Sequence, residues 1–295
     1  MEITHINNSF ISVKVGKTVI FCDPWIGQTN DNAWLSFPIY KDGHKSLKNL
    51  KPNFIYISHL HCDHFNPATL TKYKSKNIQI IIKKFNDQRL KKKLIQNGFK
   101  NIIECKNWKK YKLNQDISIS IIPQMTNNSS GIESQIEYDL DTSILIQSNI
   151  SKKVFFNNVD NPLSLSDLKK IKNFTKTNLK SNIDVACFPV GAASEYPQCF
   201  LNINRKKEKN TVIKNSLLKL KLKLEIIKPK VFFPAGGTYI ISGKYSALNK
   251  YIAQPSCSQI KDFLKKERYQ TLDIQGGKKI YYDNGKWIED KIKYS

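Results

Sequence analysis

Apolar positions along this chain fall into two patterns. Short runs read as strands: Phe54 to Ile57, which is fully apolar, the apolar Ile78 to Ile82, and Ile117 to Ile122. Ser143 to Ile146, Val154 to Phe156, Val185 to Phe188 and Val231 to Phe233 read the same way. Phe10 to Val15 and Thr18 to Cys22 form a predicted hairpin about Gly16-Lys17. Helical spacing predicts helices over Asp87 to Gln96, Ser166 to Phe174, part of the lysine-rich stretch Lys206 to Leu224, and Gln259 to Lys266. Pro24 to about Gly43, rich in Trp, Pro and Gly, reads as a loop, and Asp283-Asn284-Gly285 centres a hairpin over Lys279 to Ile288. No internal repeat is visible. The order predicts an α/β (α+β) fold of two β-rich layers flanked by helices, with residues 1–295 as a single domain.

Composition narrows the class. A chain of 295 residues can bury a substantial core. Its net charge is +24, and only three of its 48 basic residues are arginine. Arginine supplies bidentate base contacts, so diffuse lysine argues against a nucleic-acid reader. It suits a small anionic substrate better. The six cysteines form no CxxC pair, and a reduced, cytoplasmic setting is the simpler expectation. No stretch reaches the roughly 18–20 apolar residues of a membrane span, and no secretory signal is apparent. No membrane partner is therefore expected.

The chemistry concentrates in one place. Of five histidines, three lie in His59-Leu60-His61-Cys62-Asp63-His64, directly after the apolar run Phe54 to Ile57. In an extended or turning segment, side chains at i and i+2 point the same way. His59 and His61 can therefore share one ion while Asp63 and His64 turn toward a second. Cys62 points elsewhere and is not counted. Imidazole and carboxylate suit zinc, iron or manganese. A purely structural alternative is a polar turn whose histidines cap a helix starting near Pro67.

ISHLHCDH resembles the HxHxDH signature of the metallo-β-lactamase superfamily. Asn8-Ser9-Phe10 and Phe21-Cys22-Asp23-Pro24-Trp25 are similar to the opening strands of a subgroup related to CMP-N-acetylneuraminate hydroxylase. Pro189 to Cys199 and Pro234 to Tyr239 resemble two of its loops, so the likeness spans residues 1 to about 250. The resemblance implies a four-layer αββα sandwich holding one or two divalent metal ions, zinc or iron. His59, His61, Asp63 and His64 are the implied ligands, joined by a bridging aspartate after a later strand, which matches Asp160. That residue has a structural alternative in the Asp160-Asn161-Pro162 turn. Asp23 either orients a ligand histidine or caps the turn at Pro24.

Two later histidines normally complete such a site, and none follows His64. His5 and His44 precede the motif, although His44 could approach from its loop. Gln124 stands at the strand end where the first is expected, with Glu133, Glu137, Asp139 and Asp141 nearby. A carboxylate in place of imidazole would make the site richer in oxygen. Asp141 itself reads as a structural anchor for the strand that begins there.

The leading expectation is a metal-dependent hydrolase acting on an ester, lactone or phosphodiester through a metal-activated water. Asp63 or Asp160 would orient or deprotonate that water, and Tyr196 or Tyr239 would steady the developing oxyanion. The alternative is an iron-dependent oxidative enzyme on a nucleotide-linked or acidic sugar. The hydroxylase family carries Rieske-type Cys/His pairs that this sequence lacks, so that reading needs a reductase partner. A third is ligand binding without turnover, through the Gly191 and Gly236 loops.

Overall fold

The computed structural model describes residues 1–39, 51–74, 77–125, 141–191 and 194–290. Its strands are β1 (Glu2–Asn7), β2 (Phe10–Val15), β3 (Thr18–Cys22), β4 (Gln28–Thr29), β5 (Trp34–Ser36), β6 (Phe54–Tyr56), β7 (Gln79–Lys83), β8 (Ile102–Cys105) and β9 (Lys110–Lys112). They continue with β10 (Ile117–Pro123), β11 (Thr142–Ser148), β12 (Val154–Asn157), β13 (Ile183–Phe188), β14 (Val231–Pro234), β15 (Tyr239–Ile241), β16 (Gln270–Thr271), β17 (Lys279–Asp283) and β18 (Lys286–Glu289). The helices are α1 (Pro67–Leu70), α2 (Arg89–Gln96), α3 (Leu165–Asn178), α4 (Arg205–Ile227) and α5 (Cys257–Phe263).

One sheet has eight strands in the order β18-β17-β1-β2-β3-β6-β7-β8, and a second has seven in the order β16-β14-β13-β12-β11-β10-β9. The strand period of two sorts their side chains. Ile144, Ile146, Phe155, Val185, Cys187, Val231 and Phe233 face Ile11, Val13, Ile20 and Tyr56 of the other sheet. Their sequence neighbours Leu145, Phe156, Ala186, Phe188 and Phe232 pack outward against Leu168 and Ile171 of α3 and Leu217, Leu220 and Leu224 of α4. The outer face of the larger sheet carries Phe10, Phe21, Ile55 and Ile80, covered by Leu70 of α1 and by Leu90 and Leu94 of α2. The layers are α, β, β, α, as the residue pattern and the resemblance led one to expect. Strands buried on both faces explain why the runs are apolar at successive positions.

The turn at Asn284-Gly285 adopts φ of 45° and 82°, the left-handed pair that an Asn-Gly hairpin selects. Helix α5 begins earlier than the pattern predicts. Ser256 and Gln259 form a capping box, which sets the start at Cys257. The loop expected from Pro24 also contains structure: β4 and β5 join β15 in a third, three-stranded sheet. Trp34 stacks on Tyr239 there, 4.2 Å between ring centres. Strands of two and three residues are too short to display a period. Among the described residues, no helix is long and apolar enough to cross a membrane.

Both sheets have parallel strands at their centres, β3-β6-β7 in one and β12-β13-β14 in the other. Loops leaving the carboxyl ends of these strands carry Asp23, the histidine motif and Asp160. That is where open α/β sheets gather ligand-binding groups.

Candidate metal centre

The motif follows β6 and runs into α1. The cap of α1 is Asn66, whose Oδ1 accepts the Thr69 amide at 2.9 Å, so the histidines are free of that task. His59 and His64 are buried and His61 is exposed. His59 Nε2 lies 2.9 Å from His61 Nδ1 and 3.6 Å from Asp141 Oδ1. His64 Nε2 lies 3.1 Å from Asp160 Oδ2 and 3.4 Å from Asp63 Oδ2. Two overlapping groups result, His59, His61 and Asp141, and His59, His64 and Asp160; within each the donor atoms lie within 4.8 Å of one another.

Asp141 corrects the sequence reading. It stands directly before β11, as expected of a strand anchor, but its carboxylate enters the site. Thr142 Oγ1 donates to the Ser58 carbonyl at 2.8 Å, which ties the start of β11 to the residue before His59. Tyr56 hydroxyl sits 2.5 Å from the same Thr142 oxygen. Gln124 holds the same segment: its Oε1 accepts the Asp141 amide at 3.1 Å, while its own backbone amide donates to the Asp141 carbonyl. His44, Glu133, Glu137 and Asp139 lie outside the described residues.

Asp23 orients the histidines. Its Oδ2 accepts from His64 Nδ1 at 2.9 Å and from Ser58 Oγ at 2.6 Å, and its Oδ1 accepts the Ser58 amide at 2.7 Å. Because Ser58 gives its single hydroxyl proton to Asp23, its oxygen accepts from His59 Nδ1 at 2.8 Å. Both buried imidazoles therefore keep their Nε2 atoms turned to the carboxylates. Fixing the outer nitrogen to set the inner one is how ligand histidines are usually held.

Asp160 stands on a turn stiffened by buried asparagines. Asn158 Nδ2 donates to the carbonyls of Val159 and Asn161, and Asn161 Nδ2 to that of Pro123. Val159 adopts φ of 52°, a strained conformation for a β-branched residue. Gly236 packs against this turn at φ of 93°, where a Cβ would come within 3.2 Å of Asp160 Oδ1. Asp63 is buried and receives a long contact from Asn8 Nδ2 at 3.5 Å. Asn8 in turn accepts the amides of Gly236 and Thr238, joining the chain's opening strands to its later loop.

The electrostatics suit a cation. Burial, then His64 and His61, lower the His59 pKa to about 3, leaving a neutral imidazole. Burial opposes charge on His64, yet Asp63, Asp160 and Asp23 outweigh it and raise its pKa well above normal. Burial, then Asp160, raises Asp141 to about 6. Asp141 Oδ1 and Asp160 Oδ1 are buried with no hydrogen-bond partner among the described residues. A buried carboxylate oxygen without a donor is costly, and a cation among these groups would remove that cost. The donor set thus fits divalent metal.

The two tyrosines named from sequence are both held by hydrogen bonds. Tyr239 hydroxyl donates to the Ser194 carbonyl and accepts from Gln198 Nε2, each at 2.7 Å. Tyr196 hydroxyl donates to Glu208 at 2.5 Å. Cys62 is exposed and outside both groups of candidate ligands, and all six cysteines are unpaired.

No protein-family profile matches the chain. Among curated proteins, it is 26% identical over 126 residues to a putative Rieske 2Fe-2S iron-sulfur protein of Mycolicibacterium smegmatis; the match takes in 41% of this chain and 24% of that protein. It is 36% identical over 84 residues to the cytidine monophosphate-N-acetylneuraminic acid hydroxylase of Asterias rubens, 28% of this chain and 13% of the relative. The chain thus matches a quarter or less of the length of these relatives. Among solved structures, it is similar to Igni18, a metallo hydrolase of Ignicoccus hospitalis, with TM-score 0.60 and 17% identity, covering 99% of both chains. It is also similar to CmlA, a diiron β-hydroxylase of Streptomyces venezuelae, with TM-score 0.61 and 11% identity, covering 94% of this chain and 53% of CmlA. The fold is the αββα, metallo-β-lactamase-like sandwich that these solved structures share.

Proposed function

We propose that this protein is a metal-dependent enzyme whose centre holds two divalent ions and hydrolyses an ester, lactone or phosphodiester. The observation that carries the reading is the convergence of His59, His61 and Asp141 beside His64 and Asp160, with a buried, unpartnered oxygen on each of those two aspartates. His59, His61 and Asp141 would hold one ion, and His64, Asp160 and Asp63 the other. A bound divalent ion supplies Lewis acidity and a water whose pKa falls toward about 7. Asp160 lines a pocket of about 520 Å³, which would bring an incoming substrate beside the centre, where Asp63 or Asp160 would orient or deprotonate the water. Asp23 and Ser58 keep the two buried imidazoles in one tautomer throughout. Hydrolysis needs only ions, water and a proton acceptor. A small anionic substrate and a cytoplasmic setting belong to the same reading, in accord with the basic charge and the unpaired cysteines.

The test is elemental analysis beside a panel of esters, lactones and phosphodiesters. Wild type is expected to carry metal near two ions per chain, with both metal and turnover falling in His59→Ala and Asp141→Ala. Turnover that survives in both variants would overturn the assignment.

A second reading has its own support. A carboxylate in place of imidazole at Asp141 makes the set three histidines and three carboxylates, which suits iron or manganese more than zinc. The sequence match to a sialic-acid hydroxylase points the same way. Iron-dependent oxidation would draw electrons from a separate reductase. Stoichiometric iron in protein from iron-sufficient cells, without hydrolysis on the panel, would favour it; zinc alone would discard it.

A further inference from the structure

The pocket that Asp160 lines is bounded on another side by α4, which presents Asn215, Ser216, Lys219 and Lys223 to it. Residues four apart lie on one helix face, so the two ammonium groups repel each other across one turn. Lysines elsewhere in the fold meet acids: Lys221 of the same helix pairs with Glu267 at 2.9 Å, and Lys153 with Asp184 at 3.3 Å. Neither Lys219 nor Lys223 has such a pair among the described residues. Lys223 is half-buried, its ammonium 5.5 Å from the centre of the Phe188 ring. Burial, then Lys219, brings its pKa down to about 8. Two neighbouring cations, one drawn into the fold against an aromatic ring, form an uncompensated positive site in a pocket that reaches a candidate metal ligand.

We propose that Lys219 and Lys223, with Asn215 and Ser216, bind an oxyanion group of the substrate, a phosphate or a carboxylate, and so hold the rest of that molecule toward Asp160. The inference rests on the enzyme reading for the word substrate, whereas the anion site stands on the pocket itself. The two lysines supply charge, and the amide and hydroxyl supply neutral donors.

The test uses the full chain as isolated. Trace acetylation with acetic anhydride, resolved by mass spectrometry, is followed with and without inorganic phosphate or succinate. Labelling of Lys223 is expected to slow at least fivefold with one or both anions, while Lys214, exposed on the same helix and outside the pocket, changes less than twofold. Protection by phosphate alone assigns the site to a phosphorylated molecule, and protection by succinate alone to a carboxylate. Protection by neither, or equal protection of Lys214, overturns the proposal. Equilibrium dialysis of phosphate gives the second measurement: Lys219→Met and Lys223→Met should each weaken binding at least tenfold and Lys214→Met less than twofold, and unchanged affinity in the first two overturns it. Metal content is read on the same samples. Wild type without metal would sink the enzyme reading and leave the lysine result to stand or fall separately.

Discussion

Thr142→Val tests how the fold delivers Asp141 to His59. The change keeps the side-chain shape and removes one oxygen. That oxygen donates to the Ser58 carbonyl at 2.8 Å and, its proton spent, accepts from the Tyr56 hydroxyl at 2.5 Å. Thr142 and Tyr56 are fully buried, so water cannot replace the lost partner. Each orphaned group costs about 1–3 kcal/mol, which gives about 2–6 kcal/mol of destabilisation in urea unfolding. The same bond fixes the spacing of Asp141 and His59, 3.6 Å between ligand atoms. Loss of such supporting bonds typically weakens metal affinity 10–100-fold, to be read by competition with a chelating dye (about the same range for zinc or iron). Thr142→Ser, which keeps the hydroxyl, should recover most of both effects. In Thr142→Val/Tyr56→Phe only the Ser58 carbonyl is orphaned, so the double variant should lose at least about 1–3 kcal/mol less than the sum of the singles. Thr142→Val within about 0.5 kcal/mol of the parent, at unchanged metal affinity, would refute the reasoning.

Other perturbations reach the same network from different sides. Gly236→Ala places a Cβ 3.2 Å from Asp160 Oδ1 on backbone at φ of 93°, and should cost more than about 1 kcal/mol and lower metal content; full occupancy would show that Asp160 can yield without consequence. Ser58→Ala removes the hydroxyl between Asp23 and His59 Nδ1, and metal affinity measured by dye competition should fall about 10–100-fold, with an unchanged value counting against the relay. His5 is fully buried, donates from Nε2 to the Asn8 carbonyl, and has its pKa lowered to about 4, first by burial. Below pH 6.5 the unfolded chain binds a proton that the folded chain refuses, so stability should drop by about 3 kcal/mol as pH falls from 6.5 to 4; His5→Gln should flatten that slope in pH-dependent unfolding.

Legibility in the sequence followed the length of each pattern. The runs within β11 to β14 are apolar at consecutive positions because each strand has a covered face on either side, and they declared the seven-stranded sheet. β4 and β5 stayed hidden because three residues carry no period. The histidine motif announced the centre through compositional improbability in a chain with five histidines. Asp141 announced nothing. Its role depends on β11 starting beside the end of β6, a contact made across 84 residues by Thr142 and Ser58. The available local signal was weaker: a carboxylate at the start of an apolar strand, near the place where a later histidine was expected. Reading it as an anchor was sound for the backbone, which Gln124 does hold, and incomplete for the side chain.

The exchange of imidazole for carboxylate at Asp141 also changes what else the site must provide. Each such exchange adds one negative charge beside the ions, which strengthens their retention and weakens the pull on an anionic substrate. On the two-ion reading proposed above, Asp63, Asp141 and Asp160 together would offset most of the charge that the ions would bring. A centre of this composition draws an anion poorly by itself, so the positive potential has to come from nearby. Lys219 and Lys223 stand in the pocket that Asp160 lines, without an acid to neutralise them among the described residues. The separation has a chemical use: cationic charge on α4 can hold the inert end of a substrate while the carboxylate-rich centre is left to the bond that breaks. A substrate lacking the anionic group should then lose binding through α4 while the metal content of the protein stays as it was.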